Sequence, residues 1–357
     1  MDYRPRSVAS GLRGDGRGWV LAAVALGWLF ILGGRFLVPA VLPQVKDTFD
    51  LGNTGGGVAV TLIWATYALS QSPAGMLSDR LGERRLLAGS LLLSAGSVLV
   101  LGVAPVFLGF LAGCAIFGLA TGLFGPSRGT VLARTFPDND STAIGATLAA
   151  GSVGSAVLPF AAGVLVGSIG WRWTVAGLLV PFGMAGAFTW WAIPSFSHDT
   201  GTESPPRERA SAVAGAVRSR GVAIATAGVT LMLFTFQALS AFYVTYLVEI
   251  RTFDQYTATA MLSLVFVGGA VAQLSVGRLA DRLGSRTVLT VTAFVGAVAT
   301  GAIPFVGGLV PVALLSVLLG ARLAMAPVSN AYIIAVLPDA VTGTAWGVLR
   351  TGFFLVA

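Results

Sequence analysis

Four arginines lie inside long apolar stretches of the sequence: Arg35, Arg128, Arg322 and Arg350. A guanidinium group in hydrocarbon costs at least ~2.5–3.5 kcal/mol, so such a residue normally faces a protein or water-filled interior. None of the 15 acidic residues falls within these stretches. Because the planar guanidinium fork matches carboxylate or phosphate oxygens, the four arginines predict a binding site for an anion.

The case for binding differs between the four arginines. It is strongest for Arg35, which lies between Gly33-Gly34 and Pro39, where a broken helix is expected to open a site. Arg128 precedes Pro137 by nine residues, and snorkelling to a membrane interface is its alternative role. Binding to exposed backbone carbonyls is the alternative for Arg322 and Arg350.

Other polar and aromatic residues in the same stretches are candidates for the walls of the site and for secondary hydrogen bonds. Ordinary packing, or anchoring at a membrane interface, is an equally good interpretation of each. These residues are Trp64, Tyr67, Gln237, Tyr243, Asn330, Tyr332 and Trp346.

The sequence lacks the residue patterns that metal binding, nucleophilic catalysis and nucleotide binding usually require. Cys114 is the single cysteine and His198 the single histidine, so no Cys/His spacing predicts a metal ion and no nucleophile has a recognisable base. The phosphate-cradling Gly-Lys-Ser/Thr loop is also missing. We therefore expect no enzymatic activity, no cofactor and no metal. The net charge of +7 is scattered between apolar stretches, which argues against nucleic acid as a partner.

The elements that position these residues must be membrane-spanning helices. The 357 residues are 55% hydrophobic and only 10% charged. A hydrocarbon core ~30 Å thick needs about 20 apolar residues per helix, and unpaired backbone groups in lipid exclude irregular structure. This length predicts eleven spans, at about 19–45, 55–77, 86–103, 106–133, 144–166, 173–193, 222–248, 256–276, 288–303, 309–336 and from 345 onward.

An internal repeat divides the chain into two halves. Gly75–Leu87 and Gly277–Leu289 match at eight of thirteen positions at an offset of 202, and residues 195–220 form a polar stretch between the halves. The repeat predicts a six-helix bundle over 1–194, a linker over 195–220 and a second bundle over 221–357. Extending the offset places the end of a complete second bundle near residue 395. We therefore expect twelve helices, of which about eleven are present.

The basic residues predict the orientation of the chain in the membrane. With the N-terminus inside, inner segments hold fifteen arginines, whereas outer segments hold only Lys46, Arg172 and Arg251. Positively charged loops stay on the cytoplasmic side. The N-terminus and the central linker are therefore expected in the cytoplasm, and the protein in the cytoplasmic membrane.

The two copies of G-x-L-x-D-R-x-G-x-R resemble the loop motif of the major facilitator superfamily, and with the duplication the resemblance covers essentially the whole chain. It implies an all-α membrane protein of two six-helix bundles related by a pseudo-two-fold axis, with spans one, four, seven and ten lining a central cavity. In that family the motif latches the cytoplasmic ends of the bundles together. An orientation signal followed by a solvated turn is the alternative interpretation. The gating positions implied by the resemblance are Gly75, Asp79, Arg80, Gly82 and Arg84 in the first copy, and Gly277, Asp281, Arg282, Gly284 and Arg286 in the second.

The sequence departs from the family pattern at several positions. Glu83 stands where the family usually has a basic residue, which implies a weaker or differently paired latch. Cys114 falls on the position of a buried arginine in span four. The span-five motif of drug/proton antiporters is partial, because Leu158 and Ala162 stand where glycines are expected.

We therefore expect a secondary transporter, acting as a monomer, that moves a small organic anion by alternating access. One alternative is an efflux antiporter for several drugs or other amphipathic compounds, and another is a membrane sensor of the same fold that moves no solute. Because the predicted spans contain no Asp, Glu or His, anion exchange, facilitated diffusion or a proton carried with the substrate is favoured over a proton relay within the protein.

Overall fold

The computed structural model describes residues 16–137, 140–195, 220–325, 349 and 351–356. Helices make up most of these residues, and none of them lies in a strand. The helices are α1 (Arg17–Ala40), α2 (Leu42–Phe49), α3 (Asn53–Leu81), α4 (Glu83–Val103), α5 (Phe107–Thr135), α6 (Asp140–Ala176), α7 (Leu179–Ala192), α8 (Arg220–Glu249), α9 (Gln255–Leu283), α10 (Ser285–Ala302) and α11 (Leu309–Gly320).

The apolar stretches form these helices as predicted. Within the described ranges, six helical stretches are long and apolar enough to cross a membrane, and Thr287–Ala302 and Leu309–Ala324 are shorter apolar helices. The all-α membrane fold is therefore confirmed. Residues 351–356 are also helical, in the region predicted for the eleventh span.

The break expected around Arg35 is not present. Helix α1 continues through Gly33, Arg35 and Pro39 to Ala40, and α2 then begins with a proline in its first turn. Gly33 packs so closely on α6 that a Cβ there would overlap the backbone of Gly154. The glycine thus permits a close helix contact rather than a break in the helix.

In each copy of the loop motif, one of the two glycines makes the turn between helices. Gly75 lies inside α3 and Gly277 inside α9, so neither residue makes a turn. The turn is made at Gly82 (φ 87°, ψ 146°) and, in the second copy, at Gly284 (φ 83°, ψ 141°). Residues other than glycine rarely adopt these positive φ values, which explains a glycine at both positions.

The chain forms two compact units, each with residues from more than one segment. The first contains residues 1–38, 58–158 and 168–198, and in it α4 packs on α5 and α7. The second contains 39–57, 159–167 and 199–357, and in it α9 packs on α11. The domain boundary at 195–220 stays a prediction, because 196–219 lies outside the described residues.

Candidate functional site

Arg35 is the centre of a polar cluster in the first unit. Its side chain is only 2% exposed. Its Nε donates a hydrogen bond to Thr121 Oγ1 at 3.3 Å, and one terminal nitrogen donates to the Thr121 carbonyl, also at 3.3 Å. Thr121 Oγ1 in turn donates to the carbonyl of Gly118 at 3.1 Å. The guanidinium group is thus held between α1 and α5.

Three aromatic rings surround the same guanidinium group. Its central carbon lies 3.7 Å from the ring centroid of Tyr67, 5.3 Å from that of Trp64 and 5.7 Å from that of Trp28. The negative ring faces stabilise a cation, and the effect strengthens when water is excluded. Burial of Arg35 therefore has a physical explanation within its own unit.

Arg128 contacts the same cluster from α5. It is buried, and its guanidinium carbon is 3.9 Å from the Trp28 centroid. The side chain contacts an internal ring instead of reaching an exposed surface. Trp28 therefore has two guanidinium groups near its ring, at 5.7 and 3.9 Å, and it stacks on Phe124 at 6.5 Å.

The Trp28 indole adds a buried donor to this set. Its Nε1 has no hydrogen-bond acceptor among the residues that the structure describes. Leaving such a donor unsatisfied costs about 1–3 kcal/mol. From 16 to 46 on the α1 side and from 107 to 137 on the α5 side the sequence contains no Asp or Glu. The cluster of Trp28, Arg35, Thr121 and Arg128, which we call the arginine cluster, is therefore positively charged and rich in donors.

Helical spacing explains how the arginine cluster forms. Trp28 and Arg35 are seven residues apart on α1, and Thr121 and Arg128 are seven apart on α5. Residues two helical turns apart lie on one face, so each helix presents one arginine and one partner for the other helix's arginine. Sequence reasoning missed Trp28 and Thr121, although this i, i+7 spacing was a usable signal.

Small residues bring α5 close to α3. A Cβ at Gly118 would overlap the backbone of Ile63, and one at Gly122 would lie 2.7 Å from the Tyr67 carbonyl oxygen. Gln71 Nε2 also donates to the Gly122 carbonyl at 2.9 Å. These contacts place Tyr67 next to the arginine cluster.

Arg322 has a separate environment in the second unit. It lies in a short 3₁₀ turn after α11 and donates to the hydroxyl of Thr300 at 3.0 Å and to the hydroxyl of Thr235. Tyr243 shares a 2.7 Å hydrogen bond with Ser316, and Gln237 is buried. The other predicted binding residues, Arg350, Asn330, Tyr332 and Trp346, lie outside the described residues.

The gating motif is described only in part. The structure does not describe the side chains of Asp79, Asp281, Arg282 and Arg286, whereas Arg80 is exposed. Arg84 lies over the ring of Trp190 at 4.5 Å. Glu83 forms a 2.9 Å ion pair with Arg134, so the acid that departs from the family pattern has a basic partner at the end of α5. Metal-binding clusters are absent from the described ranges.

Known proteins resemble this chain in sequence. An uncharacterized MFS-type transporter, Rv1250, of Mycobacterium tuberculosis is 28% identical over 186 residues, covering 50% of this chain and 31% of that protein. The multidrug resistance protein B homolog of the same species is 32% identical over 141 residues, covering 37% of this chain and 26% of that protein. The methylenomycin A resistance protein of Bacillus subtilis is 29% identical over 170 residues, covering 46% of this chain and 36% of that protein. The matched regions thus span about a third or less of these relatives.

Solved structures share the fold at low sequence identity. A bacterial homolog of the human lysosomal transporter Spinster superposes with a TM-score of 0.80 at 16% identity, covering 96% of this chain and 80% of that one. The nucleoside transporter NupG gives 0.77 at 16% identity, with 95% and 89% covered. The sequence profile of the Major Facilitator Superfamily matches residues 24–357. Since this match covers most of the chain, and the sequence contains both copies of the loop motif, the chain belongs to the Major Facilitator Superfamily of membrane transporters.

Proposed function

We propose that this protein is a secondary transporter of small organic anions that carry a flat apolar or aromatic part. The observation that carries the proposal is the arginine cluster, in which Arg35 and Arg128 lie 5.7 and 3.9 Å from the ring centroid of one indole. Two guanidinium groups favour carboxylate, phosphate or sulfonate oxygens. The rings of Trp28, Trp64 and Tyr67 favour a flat apolar partner.

Arg35 and Arg128 have different roles in this proposal. Arg35 already donates to Thr121 and contacts three rings, so it fixes the aromatic side chains and supplies long-range positive potential. Arg128 contacts the ring of Trp28 and is slightly more exposed than Arg35, at 9% against 2%, and we assign it the direct contact with the anion. Low dielectric surroundings strengthen both effects.

Transport by reconstituted protein tests the proposal. Uptake of benzenesulfonate and phenyl phosphate into proteoliposomes is compared for wild type, Arg128→Gln and Arg35→Gln. Loss of a charge-assisted hydrogen bond costs about 1.5–3 kcal/mol, so we expect about a ten- to hundredfold lower uptake efficiency for Arg128→Gln. The exposed Arg85→Gln variant is the matched control. Unchanged anion uptake in both cluster variants would remove the anion assignment.

Efflux of amphipathic drugs is the second candidate function. Two of the relatives are named as resistance proteins, and Gly154, on the helix that contains the partial span-five motif, makes a close contact with α1. Competition separates the two candidates: tetraphenylphosphonium, a cationic amphipath, should not compete with benzenesulfonate for an anion site. Transport of the cation with no anion uptake would favour drug efflux.

A further inference from the structure

Three tryptophans lie exposed at one end of α1 and α7. Trp19 is in the first turn of α1, and Trp190 and Trp191 are in the last turn of α7. Their exposed fractions lie between 48% and 65%. The basic residues of the chain predict this end of the helices on the cytoplasmic side, at the level where indole rings are favourable between lipid tails and headgroups.

Ring contacts join these ends of α1 and α7. The Trp19 ring centroid lies 5.9 Å from that of Trp191 and 6.2 Å from that of Phe188. Phe188 also stacks on Trp191 at 5.9 Å. We call Trp19, Phe188, Trp190 and Trp191 the inner aromatic patch. Its rings offer apolar surface together with the N–H donors of the indoles.

Arg84 brings a positive charge to the inner aromatic patch from a third helix. It lies in the first turn of α4, and its guanidinium carbon is 4.5 Å from the ring centroid of Trp190. Its Nε is buried and has no acceptor among the described residues. Within the same ranges no carboxylate pairs with Arg84, so the ring contact is what stabilises this cation. Its guanidinium group can therefore bind an anion from outside the chain.

The surrounding charge favours an anion at this position. Residues 80–86 contain three arginines and one acid, Glu83, which is paired with Arg134 at 2.9 Å. Arg84 and Arg85 also lie at the start of α4, where the positive end of the helix dipole disfavours a cation. A bound anion would offset both the excess positive charge and the unfavourable interaction with the dipole.

We propose that Arg84 and the inner aromatic patch bind the headgroup of an anionic phospholipid. The guanidinium fork matches two phosphodiester oxygens, and the exposed rings contact the glycerol backbone and the upper parts of the acyl chains. A soluble phosphate would gain nothing from the apolar ring surface, whereas a lipid uses both parts of the site. The site contains no residue of the arginine cluster, and it does not depend on the substrate proposed above.

Native mass spectrometry of the full chain in an uncharged detergent measures lipid binding. The protein is titrated with an equimolar mixture of phosphatidylglycerol and phosphatidylcholine that have the same acyl chains. Wild type should bind its first phosphatidylglycerol about tenfold more tightly than phosphatidylcholine. Soluble glycerol phosphate in large excess should not displace the bound lipid, and displacement would overturn the lipid assignment in favour of a free anion.

Neighbouring residues of the same type supply the controls. Arg84→Gln should raise the Kd for phosphatidylglycerol about tenfold and leave the Kd for phosphatidylcholine unchanged, which also shows that the variant is folded. Arg85→Gln removes the same charge from the exposed adjacent residue and should leave both values near those of wild type. Trp190→Leu should also weaken phosphatidylglycerol binding, whereas Trp173→Leu, at another exposed tryptophan, should not.

Three results would each overturn the proposed lipid site. The first is equal binding of the two lipids by wild type. The second is an equal change in Arg84→Gln and Arg85→Gln, because general attraction between charges would then explain the binding. The third is unchanged phosphatidylglycerol binding in Trp190→Leu, because the contact between Arg84 and Trp190 would then have no part in it.

Discussion

One hydroxyl and one aromatic side chain, those of Thr121 and Trp28, contact the buried arginines of the first unit. Thr121 accepts two hydrogen bonds from Arg35, and the ring of Trp28 lies near both Arg35 and Arg128. A buried guanidinium group is thereby stabilised without a carboxylate in the sequence of α1 or α5. A ligand that brings negative charge to the arginine cluster would add to this stabilisation, which is why we place the anion there.

The first prediction concerns the unsatisfied indole donor. Trp28→Phe keeps an aromatic face for the two arginines but removes the N–H group, so anion affinity should fall by a factor of about five if this donor contacts the anion. Uptake of benzenesulfonate at varied concentration measures the apparent KM. An unchanged KM would place the indole N–H outside the binding site.

The second prediction separates the hydroxyl of Thr121 from its size. Thr121→Val leaves Arg35 without the Oγ1 acceptor, which should cost about 1–3 kcal/mol of stability, measured as a lower thermal unfolding midpoint in detergent. Thr121→Ser retains the oxygen and serves as the control. Equal midpoints for Thr121→Val and wild type would show that the Thr121 hydroxyl is not needed to stabilise Arg35 beside the Thr121 carbonyl and the rings.

At the level of helices, glycine residues at the contacts determine how closely neighbouring helices pack. A Cβ at Gly154 would overlap the carbonyl of Leu29, whereas in the described surroundings of Gly145, on the same helix, nothing lies within 4 Å of the corresponding position. Two glycines on one helix therefore have different physical roles. Gly33 has the same role as Gly154: it permits a close contact with α6, and α1 does not break there.

The third prediction compares these two glycines. Gly154→Ala should destabilise the protein by about 1–3 kcal/mol, because backbone atoms on α1 must move. Gly145→Ala should be neutral or stabilising, since alanine restricts the unfolded chain. Thermal unfolding midpoints of the two variants measure the difference, and equal midpoints would contradict the close α1–α6 contact.

The fourth prediction concerns the start of α9. Asp254 accepts hydrogen bonds from the backbone N–H of Thr257 at 3.0 Å and from its hydroxyl at 2.6 Å, and these bonds lower the pKa of the Asp254 carboxyl group. A folded-state pKa below the unfolded one gives stability that is complete above the unfolded pKa and is lost as pH falls through the folded pKa.

A comparison of capping variants measures this effect. Asp254→Ala should lose the cap, at a cost of about 1 kcal/mol or less because the site is exposed, and the difference from wild type should vanish in acid. Asp254→Asn keeps an acceptor that does not titrate, so it should retain the cap at low pH. A wild-type advantage over alanine that persists in strong acid would exclude the carboxylate as the cap.

For the whole molecule, the distribution of arginines predicts which side of the membrane each loop occupies. Fifteen arginines fall in predicted inner segments and three basic residues in outer ones. The family membership agrees with a protein that crosses the membrane several times, whereas the orientation is a prediction from charge.

The fifth prediction tests this orientation in the central linker. Cys114 is buried, so a cysteine introduced by His198→Cys is the main reactive thiol. An impermeant maleimide should label it in inverted vesicles and not in intact cells. Labelling from the outside of intact cells would contradict the predicted topology.

The sequence alone determined the class of the protein, because apolar helices and a duplicated loop motif are local patterns that depend on residue order. It also placed Arg35 and Arg128 in apolar surroundings. Only the tertiary structure decided the contacts between helices, in which Thr121 and Tyr67 reach Arg35 and Trp28 reaches Arg128. The pair between Lys46 and Glu249, 203 residues apart, likewise depends on which helix ends meet, and periodicity within one helix contains no information about that contact.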